Sequence, residues 1–482
     1  MSTRKLAAAV SWLSLGNVMA RALSLITMPL LTRWLSPDAY GAAALVGTLV
    51  SLSGVFAIAG IDMGYARHAF SGHAGTAAAV EVFCWRWVIA GAGTVALGAG
   101  ALWWLAATRL GLSQGLAGFV VAGVFSSALM TMATTRARLQ NRYARLTWVQ
   151  FGTGCVTAAV SIGVAAWWRQ DAWPLLVAMV VGYALPTVLL GAPPLTMLRA
   201  PAGLSAAQRR SVTTTGLAGI VTAPAYWALS SSDRWFLAAY QDSTAVGIYS
   251  IGFTVGTIGT VVSAAITAAW LPELSRDESI PGSGLAERKR DMAQLLIAAM
   301  LIVAVGVAAA GGDVIRALAD PRFHAAARVV PWLAAAVFFY GVMHVGNALL
   351  VMRGKLHWSA LAWIVALLVS LLLNRWLIPA NGALAAAFVQ ALSFLVVMAL
   401  VWLAVLRVES LRMNGVRLAA GLGLAVVSGV AMQGAWNANP WLSLALKLPA
   451  GAVFAACCLL IIAPQGLAQG LAQARHKLQG VA

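Results

Sequence analysis

Met292–Gly312, MAQLLIAAMLIVAVGVAAAGG, runs for 21 residues without an Asp, Glu, Lys or Arg. A helix rises ~1.5 Å per residue, so such a run crosses the ~30 Å hydrocarbon core of a bilayer. Apolar runs longer than the ~18 residues that argue for a spanning helix recur along the whole chain. We read about fourteen of them, from 6–32 at the start to 441–464 at the end. The composition agrees: 61% hydrophobic and 10% charged over 482 residues, where soluble domains hold roughly a quarter charged. The expected class is all-α, a polytopic membrane protein. The start, MSTRKLAAAVSWLSLGNVMARALSL, resembles a signal peptide. Its apolar run continues through Arg21 to about Thr32, which predicts a retained first helix.

The net charge of +18 taken alone could suggest nucleic acid. Its distribution excludes that reading. With a cytoplasmic N-terminus, 21 of the 32 Lys and Arg fall in alternate, inside loops, seven fall outside, and four lie within spans. That is the bias that orients membrane proteins, so both termini are expected in the cytoplasm. Trp12, Trp34, Trp85, Trp87, Trp168 and Trp441 near helix ends fit interfacial anchors. The four cysteines (Cys84, Cys155, Cys457, Cys458) lie in apolar runs without a CxxC spacing and read as small buried packers. HExxH and GxSxG are absent too. No metal, cofactor or catalytic residue is expected.

The four intramembrane cations therefore carry the question of function, since each is costly at membrane depth. Arg21 sits near the middle of the first helix and shares a face with Ser14, Asn17 and Ser24. The seventh helix, 213–239, repeats the theme with Thr222, Tyr226, Ser230 and Asp233 on one face and Arg234 beside them. The eighth carries Thr257, Thr260, Ser263 and Thr267, and the tenth Tyr340, His344 and Asn347. Polar faces on several helices suggest a shared aqueous cavity whose excess positive charge suits an anion. Two readings stay open for Asp233 and Arg234: lining that cavity, or pairing to lock helices together. Arg86, between Trp85 and Trp87, reads as interfacial. Lys447 either snorkels outward or guards a lateral opening. Asp62 and Glu273 sit at helix ends and read as solvated. The longest outside loop is expected near Asp313–Ala326.

A faint internal repeat is also present. LTRWLSPDAYG (31–41) and LAAYQDSTAVG (237–247) lie 206 residues apart, each followed by a helix that starts with glycine. Parallel repeats of this kind underlie transporters that rock two halves about a site.

Four blocks occur in order: LLTRWLSPDAYGAAALVGTLVSL with AGIDMGYARHAF, SSDRWFLAAYQDSTAVGIYSIGF, DPRFHAAARVVPWLAAA and LLLNRWLIPANGALAAAFVQALSFLV. Together they resemble the polysaccharide transporter family. This is the Wzx-type lipid-linked oligosaccharide flippase branch of the multidrug/oligosaccharidyl-lipid/polysaccharide exporter superfamily. The resemblance implies two six-helix bundles, 1–200 and 201–410, around a central cavity, with two further helices and a tail at 411–482. It implies movement of an undecaprenyl-pyrophosphate-linked oligosaccharide from the cytoplasmic to the periplasmic leaflet of a bacterial inner membrane by alternating access. The partners it implies are that lipid-linked oligosaccharide, membrane lipids, and a polysaccharide polymerase with its chain-length regulator. Basic residues line the family's cavity, and Arg21 and Arg234 can play that part here. With them, Asn17, Ser24, Tyr226, Ser230, Asp233, His344 and Asn347 complete the candidate substrate-binding set. A sibling carrier remains the alternative, either a lipid II flippase or a cation-coupled drug exporter. Mid-span Arg without mid-span carboxylates argues against the exporter. A membrane glycan polymerase or ligase would need a sizeable outside loop, which the chain lacks.

Overall fold

The computed structural model describes residues 19, 23–68, 74–168, 170–192, 203–218, 222–263, 270, 285–408 and 413–464. Every regular element among them is helical. A helix over 23–34 (α1) is followed by α2 (Pro37–Ile58), α3 (Ile61–His68), α4 (Ala74–Arg109), α5 (Ala117–Leu139), α6 (Tyr143–Trp167) and α7 (Trp173–Leu190). Then come α8 (Ala206–Ala218), α9 (Thr222–Tyr240), α10 (Ser243–Gly256), α11 (Leu285–Leu318), α12 (Val330–Met352), α13 (Leu356–Val408), α14 (Gly415–Ala431) and α15 (Pro440–Ile462). Nine helices among the described residues are long and apolar enough to cross a membrane. One of these, α13, merges the two predicted segments 358–374 and 382–406 and changes direction at Gly382, where φ is +53°.

Helix starts follow a repeated local rule. Ser36-Pro37, Asp320-Pro321 and Asn439-Pro440 each pair a capping side chain with a proline at the first helical position. The cap oxygen accepts an orphan backbone N–H, for example that of Ala39 at 3.1 Å, and proline gives up an N–H that would have had no partner.

Four expectations need correction. The predicted helix 40–66 is broken in two, because Ala59 and Gly60 take left-handed backbone angles (φ +50° and +68°). Gly60 is needed there: a Cβ on it would strike the Gly216 carbonyl. The predicted outside loop near Asp313–Ala326 is instead the end of α11 and a 3-10 turn, Pro321–Arg328. Finally, Trp85 is in the core and Cys155 is exposed on α6. The exposed apolar residues of α4 and α13, such as Leu97, Leu105, Leu368 and Trp376, are the faces a bilayer would cover.

The chain divides into two compact units. The first comprises Met1–Ser250 with Ile378–Gly382, the second Ile251–Leu377 with Ala383–Ala482. In the first, α5 packs on α2, α4 and α7, and α6 on α7. In the second, α11 packs on α12, α14 and α15. There the indole N–H groups of Trp270 and Trp402 donate to the Val345 and Val342 carbonyls of α12, both at 3.1 Å.

Candidate functional site

Residues 233 and 234 stand about one helical turn beyond residue 230 on α9, and the fold encloses all three. Arg234 donates through Nη1 to the Ser230 carbonyl at 3.0 Å and lies 3.6 Å from Asp233 Oδ1. Its guanidinium carbon sits 5.5 Å from the centre of the Tyr249 ring on α10. Tyr249 donates its hydroxyl to Asp233 Oδ2, and the Arg234 backbone N–H donates to Asp233 Oδ1 at 2.7 Å. Asp233 is 1% exposed, Arg234 7% and Tyr249 0%. The Ser230 hydroxyl is buried without a partner. Two charges removed from water this far are tolerated only when their remaining hydrogen-bonding capacity is met, and here Tyr249 and the α9 backbone meet it. In the described geometry the group ties α9 to α10.

The other expected residues scatter. Tyr226 is half-buried, edge-on to Trp227. Ser24 is exposed on α1 and lines a cavity. Arg21 and Asn17 lie outside the described residues. His344 and Asn347 belong to the second unit. The His344 ring meets Tyr340 edge-on at 4.4 Å, and the Asn347 side-chain carbonyl is buried without a hydrogen bond. The hydroxyls of Thr257 and Thr260 turn back to carbonyls of their own helical stretch, Phe253 and Thr257, at 2.7 and 2.8 Å.

Two cavities lie within the first unit. One of about 490 Å³ opens between α1, α5, α6 and α7, with Ser24, Thr27, Gln150, Thr153, Thr157 and Ser161 among its walls. A second of about 410 Å³ is walled by α2, α3, α5, α7 and α9, with Ser51, Asp62, Thr131 and Trp227. Met130 and Tyr183 belong to both. Asp62 is therefore not simply solvated. Burial pushes its carboxyl above the usual range, against a lowering pull from backbone N–H groups and Arg138.

Two further ionic groups went unforeseen as groups. In the second unit the Lys447 side chain is 4% exposed, and its ammonium donates three bonds of 2.7 Å each, to Asp313 Oδ2 and to the carbonyls of Ala309 and Gly434. Asp313 takes Arg316 on its other oxygen at 2.5 Å. Lys447 is thus neither a snorkelling side chain nor an open gate; it latches α15 to α11. Sequence spacing hides such a pair, because 134 residues separate the partners. In the first unit Glu81 receives Arg136 at 2.8 Å and the Tyr65 hydroxyl at 3.1 Å. Arg136 also donates to the Gly191 carbonyl just beyond α7, at 2.9 Å, where a cation complements the helix C-terminus.

A model of the family described as "Polysaccharide biosynthesis protein" matches residues 30–319. No curated protein matches. Among solved structures, the inward closed conformation of the lipid II flippase MurJ aligns with a TM-score of 0.70 at 11% identity, over 93% of this chain and 98% of that one. An inward-facing multidrug resistance MATE family transporter of the MOP superfamily aligns with a TM-score of 0.56 at 11% identity, over 83% and 95%. The Vibrio cholerae MATE transporter VcmN aligns at 0.52 and 13% identity, over 85% and 98%. At these identities the likeness establishes the fold, an all-helical membrane-transporter architecture.

Proposed function

This chain belongs to the polysaccharide biosynthesis protein family, and from that premise we propose that it is a flippase for an undecaprenyl-pyrophosphate-linked oligosaccharide. It carries the cargo from the cytoplasmic to the periplasmic leaflet of the bacterial inner membrane by alternating access, for surface polysaccharide assembly. Both its termini are cytoplasmic. One conjunction carries this reading: a family defined by polysaccharide biosynthesis has the fold of lipid flippases and exporters. The solved structures with this fold are a flippase and exporters, which supports transport as the contribution to polysaccharide synthesis.

The division of labour we propose gives residues 1–200 and 201–410 to two six-helix bundles and 411–482 to accessory helices. Arg21, the mid-span cation of the first helix, compensates the pyrophosphate. Asn17, Ser24, Tyr226, His344 and Asn347 are the remaining polar candidates. Asp233 and Arg234 serve by holding α9 and α10 together. A polymerase and a chain-length regulator would act on the delivered product.

The test is leaflet-resolved translocation in vesicles containing the purified protein, with lipid-linked glycans and lipid II as separate cargoes. Accumulation of the glycan in the far leaflet supports the reading. Movement of lipid II alone would replace it with the sibling activity.

A further inference from the structure

Of the described polar candidates named above only Ser24 lines either of the two cavities of the first unit, and their walls have a distinct chemistry. Their volumes, about 490 and 410 Å³, fall within the ~300–1,000 Å³ of ligand pockets. Among the described residues lining them none is a Lys, Arg or His. These described walls thus offer a phosphate no counter-charge of their own.

Hydroxyls supply the polarity instead. Thr27, Thr157 and Ser161 donate to the carbonyls of Ser24, Gly154 and Ala158 at 3.1, 2.9 and 2.9 Å, which leaves their oxygen lone pairs free to accept. Thr153 is 6% exposed, and its hydroxyl lacks any partner. A buried hydroxyl left unpaired is costly, and an occupant that bonds to it offsets that cost. Tyr183 and Trp227 add aromatic surface, and Asp62 adds an acceptor carboxyl. An occupant with hydroxyls at its edge and apolar C–H faces matches both kinds of wall.

We infer that these cavities bind neutral sugar rings of the translocated glycan, a subsite for its uncharged part. This rests on the flippase reading for the identity of the cargo. Ring hydroxyls donate to Thr153, Thr157 and Asp62, and a ring face lies on Trp227 or Tyr183. Glycan preference then resides in the walls that α5, α6 and α7 supply.

Binding of lactose, maltose, cellobiose and N,N′-diacetylchitobiose to the full-length protein in lipid nanodiscs tests this, read by calorimetry at millimolar sugar. At least one should bind. Thr153→Val should weaken it roughly tenfold, the loss of one buried hydrogen bond. Ala178→Phe, which fills the larger cavity, should abolish binding. Val156→Thr, on the exposed face of α6, should change nothing. If no sugar binds, or if binding ignores both Thr153→Val and Ala178→Phe, the inference is wrong. The two readings fail separately. Thr153-dependent sugar binding without translocation of lipid-linked glycan removes the flippase and keeps the pocket. Translocation without any sugar binding does the reverse.

Discussion

Gly41 and Gly247 meet in a contact that reads the same from either side. A Cβ on Gly41 would collide with the Ser243 carbonyl and stand 3.1 Å from the Gly247 nitrogen. A Cβ on Gly247 would collide with the Pro37 carbonyl and stand 3.0 Å from the Gly41 nitrogen. Pro37 and Ser243 are separated by 206 residues, as are Gly41 and Gly247. The faint repeat in the sequence is thus matched by a reciprocal packing of its two copies, the first turns of α2 and α10. Two helix N-termini, each partly positive, meet here. Asp38 accepts from the Ser243 hydroxyl, and Asp242 accepts from the Ala245 N–H at 2.7 Å, so carboxylates offset both ends.

Gly41→Ala and Gly247→Ala should each destabilise the protein by about 1–3 kcal/mol or more, since rigid backbone rather than a flexible side chain must give way. The double variant should cost less than the sum, because one displacement relieves both clashes. Thermal unfolding of the four proteins in one detergent decides this, and full additivity would mean the glycines do not share a contact.

Lys447→Met should lower stability by about 3–5 kcal/mol, because among the described residues it leaves Asp313 buried with only Arg316 as ion-pair partner. Combining it with Asp313→Leu should recover most of that loss, since an apolar pair of similar volume needs no desolvation. Proteolysis of the α14–α15 segment provides an independent measure. Release of these helices in Lys447→Met alone would locate the damage at the latch.

Asp233→Asn and Tyr249→Phe should reduce the amount of folded protein in the membrane more than the activity per molecule. Removing Tyr249's hydroxyl should cost roughly 1–3 kcal/mol, the penalty of an unsatisfied buried acceptor. Equal protein levels with lost transport would instead place the pair in the transport path. Arg21→Ala should have the opposite signature: normal protein level and lost surface glycan.

Asp62 should reveal itself through pH. Burial raises its carboxyl above the ordinary value. The folded chain therefore holds its proton to higher pH than the unfolded chain does, and stability falls as pH rises through that interval. Asp62→Asn should be more stable than the parent at pH 7. The advantage should shrink as pH falls from the raised folded value towards the unfolded carboxylate value, near ~4, and be gone below it. A pH-independent difference would mean the carboxyl is not perturbed.

Much of the molecule could be read from the chain alone. Runs such as 292–312 specify spanning helices because hydrocarbon demands internal backbone bonding, whatever the neighbours do. Cap-proline pairs set helix starts for equally local reasons. The family resemblance rests on four ordered blocks, of which the first two lie within the matched residues 30–319. The intramembrane cations were visible as well, for a charge in an apolar run is conspicuous in sequence.

What those cations touch was decided only in three dimensions. Arg234 lies in an apolar run as Arg21 does, yet Tyr249 closes over it. The sequence leaves Lys447 either snorkelling or guarding an opening, and Asp313 at 2.7 Å replaces both with an ion pair. Period and composition record which face of a helix is polar, but not whether water, a ligand or another helix covers that face. That is settled by how separate helices come together, whether 16 residues apart as in Asp233 and Tyr249 or 134 apart as in Asp313 and Lys447, and hence by packing.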